Sequence, residues 1–245
     1  MSTSYDSIAQ QYKASKMLPW RQYVEGYTLF QLTGNPSGLH VLDLACGEGF
    51  YTRQFKLRGA VQVTGVDISA GMIQLAQEEE NAHSLGVAYH VQDVLAMDLQ
   101  EQFDLISAAY LLNYARNTAE LTQMAQVIAH HVKPGGRFVT VNSNPDYRCA
   151  VESMFPYGFT RENAAYTEGA ETIYRFYQPD GSHIAVTNYH LEKSTHEEAF
   201  RQAGFTDIGW HTVEVSPEGA AEFGTDYWMD ILRCQPVVGF SCRKL

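Results

Sequence analysis

Residues 39–53, LHVLDLACGEGFYTR, constrain the fold more than any other stretch. The apolar residues Leu39, Val41, Leu42 and Leu44 lead into Ala45-Cys46-Gly47-Glu48-Gly49, and aromatic and helix-forming residues follow. This pattern predicts a buried strand, a tight glycine loop and the first turn of a helix. Gly47 and Gly49 let the backbone approach a ligand with no Cβ in the way. A helix starting near Phe50 aims unsatisfied N–H groups at the same place. The same grammar serves a dinucleotide site, whose fingerprint is G-x-G-x-x-G. Here Thr52 stands where the third glycine belongs, and Asp43 lies at the end of the strand. A carboxylate there repels a pyrophosphate and attracts an ammonium or sulfonium group. The alternative is a strand-to-helix turn that needs glycine only for its geometry.

Strand and helix patterns alternate through residue 142. Strands are expected at 61–66, 87–91, 103–109 and 138–142, with helices at 50–57, 69–84 and 121–132. That alternation favours an α/β fold with a parallel sheet and helices on both faces. Asp67 ends the second strand, 24 residues after Asp43. A carboxylate at that point can accept hydrogen bonds from both hydroxyls of a ribose. It can also serve as a helix cap, although Ser69 can fill that role and leave Asp67 free. Asp93 follows the third strand, where a lone Asp is ordinarily a turn former.

Taken in order, Asp43-x-Ala45-x-Gly47-x-Gly49, Asp67, Asp93 and the VKPGGRF turn at 132–138 resemble the class I S-adenosylmethionine (SAM) methyltransferases. The resemblance implies a Rossmann-like, seven-stranded, mostly parallel sheet whose last strand pair is antiparallel. It implies SAM as cofactor, held by Tyr12, Asp43, Ala45, Cys46, Gly47, Gly49, Asp67, Ile68, Met72, Asp93, Val94 and Ala109. Tyr5, Asp6, Ala9 and Tyr12 match a helix that lids the cofactor in many small-molecule members. The opening YDSIAQQY and the closing VVGFSCRK look most like the toxoflavin-type N-methyltransferase branch. Two departures stand out. Ala45 replaces the first glycine of the motif, and Ala108-Ala109-Tyr110 stands where amide and adenine N-methyltransferases carry N-P-P-(Y/F).

Beyond residue 142 the pattern changes. Glu171–Tyr177 and His183–Leu191 alternate around the turn Gln178-Pro-Asp-Gly-Ser, which predicts a β-hairpin. Tyr174 and Phe176 fall on one face, and Ile173, Arg175 and Tyr177 on the other. A helix at 194–203, capped by Ser194 or Thr195, strands at 205–215 and 237–243 and a helix at 225–232 complete the chain. One domain is therefore expected, with a helical lid at 1–36, a SAM-binding core at 37–142, an inserted flap at 143–193 and the rest of the sheet at 194–245. Tyr110, Tyr147, Tyr157, Tyr174, Phe176 and Trp228 can wall a flat acceptor pocket, or simply pack as aromatic side chains do in any core. Tyr110, Asn142 and Tyr147 are the candidates for a general base, which an amine acceptor does not require.

Composition excludes several partners. The chain has 245 residues and a net charge of -11, with no basic run to attract nucleic acid or an anionic membrane. No stretch of 18 apolar residues suits a membrane span. The four cysteines are scattered without metal spacing, and four reduced thiols in a cytoplasmic protein are the expectation. No metal constellation is apparent. The expected activity is methyl transfer from SAM to a small, planar aromatic or heterocyclic acceptor in secondary metabolism, by a monomer or homodimer. The alternatives are a non-catalytic SAM-binding partner subunit and a dinucleotide-dependent oxidoreductase.

Overall fold

The computed structural model describes residues 15–178 and 180–245. Tyr5, Asp6, Ala9 and Tyr12 of the expected lid lie outside the described residues. A π-helix, Arg21–Gly26, runs directly into α1, Tyr27–Thr33. The alternating half follows as β1 (His40–Leu44), α2 (Phe50–Leu57), β2 (Gln62–Asp67), α3 (Ala70–Ala82) and β3 (Ala88–Val91). Then come β4 (Phe103–Ala109), α4 (Thr118–His131) and β5 (Val132–Ser143). The second half holds β6 (Phe159–Asn163), β7 (Glu171–Tyr177), β8 (His183–Tyr189) and α5 (Lys193–Gln202). It ends with β9 (Phe205–Thr212), α6 (Pro217–Phe223), α7 (Met229–Cys234) and β10 (Val237–Lys244).

Seven strands form one sheet in the order β3-β2-β1-β4-β5-β10-β9. The first five are parallel, and β10 runs antiparallel to both β5 and β9. Val41, Leu42 and Leu44 of β1 are fully buried, as a central parallel strand covered on both faces requires. On one face, α4 and α5 bring Leu121, Ile128 and Phe200 onto Ile106, Phe138 and Phe240. On the other, α1, α2 and α3 bring Leu29, Phe55 and Ile73 onto Val41, Val63 and Val139. A third apolar cluster joins the π-helix, the second sheet and α7, and includes Tyr110 just beyond β4.

That second sheet, β6-β7-β8, is antiparallel and three-stranded rather than a bare hairpin. The expected hairpin is present, with Tyr174 and Phe176 on its buried face. The sequence pattern missed β6 because it contains Arg161, a residue that ordinarily faces water. Here Arg161 is buried, and its guanidinium donates to the carbonyls of Pro236 (2.9 Å) and Asn144 (2.9 Å).

Three other expectations are corrected. The α5 cap position is Glu192, two residues before Ser194 and three before Thr195. Strand β9 stops at Thr212, and α6 follows from Pro217 at its first turn, capped by Ser216, whose hydroxyl accepts from Gly219 N. The thiols are not all reduced: Cys149 and Cys234, 85 residues apart, form a disulfide, while Cys46 and Cys242 are free. Such a pair has no local sequence signature, because only the fold brings α7 against the segment after β5. The bond removes the cysteine argument for a reducing compartment. Among the described residues, no helix is long and apolar enough to cross a membrane.

Candidate active site

The carboxyl ends of β1, β2 and β4 build the first half of the site. β1 lies between β2 and β4, which sets Asp43 between Gly65 and Ser107. The chain then turns sharply. Ala45, Gly47 and Gly49 have φ of 52°, 57° and 80°. The motif's first glycine is thus replaced by an alanine in a left-handed conformation, which costs an L-residue ~1–2 kcal/mol. Gly49 is required for a second reason: a Cβ there would sit 2.3 Å from the Tyr89 hydroxyl.

A cavity opens above this loop. Of the expected cofactor residues, Asp43, Ala45, Cys46, Gly47 and Ala109 line it; Lys16, Glu48, Phe50 and Tyr51 join them. Asp43 is buried and accepts a hydrogen bond from Thr52 Oγ1 at 2.6 Å. Burial pushes its carboxyl up to about 7, with the negative charge of Asp67 and Glu48 adding to the rise and Thr52 and Lys16 opposing it. Burial and the same three carboxylates push the Cys46 thiol up as well. The wall therefore gains electrostatically from a positive ligand group placed beside it.

Asp67 is engaged rather than free. Its Oδ2 accepts from Gly47 N and its Oδ1 from Ser69 N, both at 2.8 Å, while Ser69 caps α3 by accepting from Met72 N. The carboxylate thus ties the glycine loop to β2. The two backbone donors fix the orientation of this carboxylate at the end of β2. Ile68 beside it is exposed, and Met72 is buried in the first turn of α3. Asp93 accepts from Leu95 N at 2.9 Å and caps a short 3-10 turn in which Val94 is buried. Gly49 stands at the start of α2.

The second half of the site is a neighbouring cavity lined by Trp20, Arg21, Tyr110, Tyr114, Tyr174, Phe176, Val186 and Asn188. Three of the expected acceptor residues, Tyr110, Tyr174 and Phe176, meet there. Tyr174 and Phe176 stack, with centroids 6.1 Å apart, and Tyr174 shares a 2.7 Å hydrogen bond with Ser143. Tyr147, Tyr157 and Trp228 pack in the apolar cluster next to this cavity. Tyr157 donates to Tyr227 O (2.6 Å) and Trp228 Nε1 to Gly219 O (2.9 Å), which fastens the C-terminal helices. Burial raises the Tyr147 phenol to about 12, and its hydroxyl donates to Ala150 O at 3.3 Å. Asn142 is buried on β5 with its Oδ1 unpaired.

The two cavities meet at Ala109-Tyr110: Ala109 lines the first and Tyr110 the second. Tyr110 has a φ of 65°, an uncommon conformation for a bulky residue and one found at functional sites. Its hydroxyl donates to Glu25 Oε2 at 2.6 Å. Glu25 is wholly buried and also accepts from Tyr51 Oη (2.6 Å) and Arg21 Nη1 (2.8 Å), with Lys16 Nζ at 3.8 Å. Burial acts to raise the Glu25 carboxyl, but the two cations and two phenols outweigh it and hold the group below the usual range. Burial, then Glu25, pushes the Tyr110 phenol well up. Sequence reading missed this centre because Arg21 and Glu25, four residues apart, look like a solvated surface pair. The residue types carried no signal; only the π-helix turns both inward.

Asp98, His130 and His131 can also bring ligand atoms within 4.8 Å of one another. Both His131 nitrogens are engaged, however: Nε2 accepts from Leu99 N and Nδ1 donates to Val127 O.

Residues 41–136 match the family model described as a methyltransferase domain. A ubiquinone biosynthesis O-methyltransferase from Coxiella burnetii is 34% identical over 111 residues, 44% of this chain and 45% of that protein. The chain thus spans less than half the length of that relative. A demethylmenaquinone methyltransferase from Lactiplantibacillus plantarum is 27% identical over 195 residues, 77% of this chain and 79% of that one. Among solved structures, a SAM-dependent methyltransferase from Mesorhizobium loti superposes with a TM-score of 0.66 at 18% identity, covering 94% of this chain and 100% of its own.

Proposed function

We propose that this chain, whose residues 41–136 match a methyltransferase-domain model and whose fold resembles that of a SAM-dependent methyltransferase, transfers a methyl group from SAM to a small planar acceptor. The observation that carries the reading is the junction at Ala109-Tyr110, where an acid-walled cavity over a glycine loop adjoins an aromatic one.

The residues of the first cavity fit SAM. The acidic wall of Asp43 and Glu48 suits its ammonium and sulfonium, Asp67, tied to Gly47 of that wall, suits its ribose, and the absent third glycine disfavours a pyrophosphate. When bound, SAM supplies a methyl group already activated by its positive sulfur. The chain's contribution is alignment and exclusion of water. Tyr174 and Phe176 offer stacked faces to a flat ring, worth ~0.5–1.5 kcal/mol per pair beyond burial. The Glu25 hydrogen bond fixes the Tyr110 ring at the seam. With its phenol pushed up and donating to Glu25, Tyr110 orients an acceptor rather than deprotonating it. The net charge of -11 argues against nucleic acid as acceptor. One relative is named for ubiquinone biosynthesis and another for demethylmenaquinone, which supports a ring acceptor.

The test is a screen of small aromatic and heterocyclic acceptors with methyl-labelled SAM. Label should pass to at least one ring compound. If it passes to none, and does so only after a second protein is added, the chain is a SAM-binding subunit instead.

A further inference from the structure

The two cavities share one carboxylate, divided between them oxygen by oxygen. Glu25 is wholly buried behind both walls. Its Oε1 accepts from Tyr51 Oη at 2.6 Å and lies 3.8 Å from Lys16 Nζ. Tyr51 and Lys16 both line the cavity over the glycine loop. Its Oε2 accepts from Tyr110 Oη at 2.6 Å and from Arg21 Nη1 at 2.8 Å. Tyr110 and Arg21 both line the aromatic cavity. The residues so joined come from three elements: the π-helix carries Arg21 and Glu25, α2 carries Tyr51 directly after the glycine loop, and Tyr110 follows β4.

A carboxylate is one planar group, so neither oxygen shifts alone. Turning it to follow Tyr51 carries the other oxygen away from Tyr110 and Arg21. Hydrogen bonds to an ionised acceptor are short and strong, which holds both walls to the same centre. Tyr110 adds a second observation. Its φ of 65° is a conformation that persists only where the surroundings over-determine it, and the bond to Glu25 is one of those constraints. Tyr174 is the contrast: it lines the same cavity, but its phenol bonds to Ser143.

We infer that Glu25 is a positioning residue that couples the two cavities. A ligand that orders Tyr51 and Lys16 on one side fixes the carboxylate, and the carboxylate then sets Tyr110 and Arg21 for the ligand on the other. The inference rests on the two-ligand reading above and adds to it a residue that lines neither cavity. Each ligand supplies part of the ordering that the other requires, so the coupling is positive and needs no contact between them. It is also reciprocal: whatever loosens the acceptor side of the carboxylate weakens the cofactor side by the same route.

The test reads the coupling from the cofactor side, by calorimetric titration of the full chain with S-adenosylhomocysteine. Tyr110→Phe keeps a ring in the acceptor cavity and removes its bond to Glu25. It should weaken S-adenosylhomocysteine about three- to tenfold, within the range for residues sharing one hydrogen-bond network. Tyr174→Phe removes a phenol hydroxyl from the same cavity without touching Glu25, and should stay within about twofold of wild type. Tyr51→Phe and the Tyr51→Phe, Tyr110→Phe double variant complete a cycle. With both phenols acting through Glu25, the double variant should bind at least about threefold more tightly than the product of the two single losses requires. A general loosening of the fold would leave those losses multiplicative and would weaken binding in Tyr174→Phe as well. The more obvious variant, Glu25→Gln, strips a buried charge and can fail to fold, so the phenol cycle decides. Multiplying losses, wild-type affinity in Tyr110→Phe, or an equal loss in Tyr174→Phe overturns the inference. Absence of S-adenosylhomocysteine binding in the wild-type protein would count against the methyltransferase reading itself, whereas binding with multiplying losses overturns only the coupling.

Discussion

Glu25→Gln is the perturbation whose cost the structure defines best. The replacement has the same shape, so it opens no cavity. It removes the charge and turns one carboxylate oxygen into an amide that donates. In the native protein, one oxygen accepts from Tyr51 and the other from Tyr110 and Arg21, at 2.6, 2.6 and 2.8 Å. A glutamine cannot accept at both positions, and Arg21 loses the charge of Glu25 in a buried setting. Breaking one side of a buried pair costs ~3–5 kcal/mol, and the three bonds are not additive because they share one group. Urea unfolding of both proteins at pH 7 should show a difference in that range. The sign with pH follows from the depressed carboxyl. Its contribution is present above the ordinary Glu range of ~4.3 and is lost as the pH falls through the lower folded value. The gap between wild type and Glu25→Gln should therefore shrink below about pH 4. Arg21→Met with Glu25→Leu, which removes both charges, should cost less than Glu25→Gln alone. A difference under ~1 kcal/mol at pH 7, or one that does not change with pH, would refute the buried-node account.

The remaining predictions concern the cofactor cavity and the disulfide. Asp67→Ala should weaken SAM by ~1.5–3 kcal/mol and lower the melting temperature, since Gly47 N and Ser69 N lose their acceptor; unchanged affinity with a lower melting temperature would leave Asp67 only a loop tie. Asp43, raised to about 7, lowers stability as the pH climbs from the ordinary carboxylate range toward that value, but a cationic ligand favours its ionised form. SAM affinity should therefore rise with pH toward 7 and then level off, and Asp43→Asn should flatten the profile. Reducing Cys149–Cys234 releases an 85-residue loop and should cost about 4–5 kcal/mol on a chain-entropy basis, read as a lower melting temperature in reductant and in the double Ser variant; equal melting temperatures would mean the bond is not formed in solution. Tyr174→Ala or Phe176→Ala should raise the acceptor KM more than it changes SAM affinity, and the reverse order would place the second sheet over the cofactor.

The parallel half of the fold was legible because its rules are local. Apolar runs end in glycine turns, and Ser69 caps α3 as its position suggests. The hairpin was legible for the same reason, down to which face carries Tyr174 and Phe176. What escaped was charge turned inward. Arg161 hid β6, while Arg21 and Glu25 hid the centre between the cavities, because a charged residue signals exposure unless its partner is known. The partners lie far away in sequence, at Pro236 for Arg161 and Tyr110 for Glu25. Cys149 and Cys234 are another instance, since α7 meets the segment after β5 only in the folded chain. Asp67 ends β2 as the pattern predicts, but its hold on Gly47 is not legible, since that contact exists only once β1 and β2 pair.

The most direct measurement of the central claim is calorimetric titration of the full chain with S-adenosylhomocysteine and, separately, with NAD. The acid-walled cavity over Gly47 and Gly49 predicts saturable, one-to-one binding of the SAM product in the micromolar range, weakened in Asp67→Ala, and no heat from NAD. Saturable binding of NAD with none of S-adenosylhomocysteine would contradict the account and mark the glycine loop as a dinucleotide site.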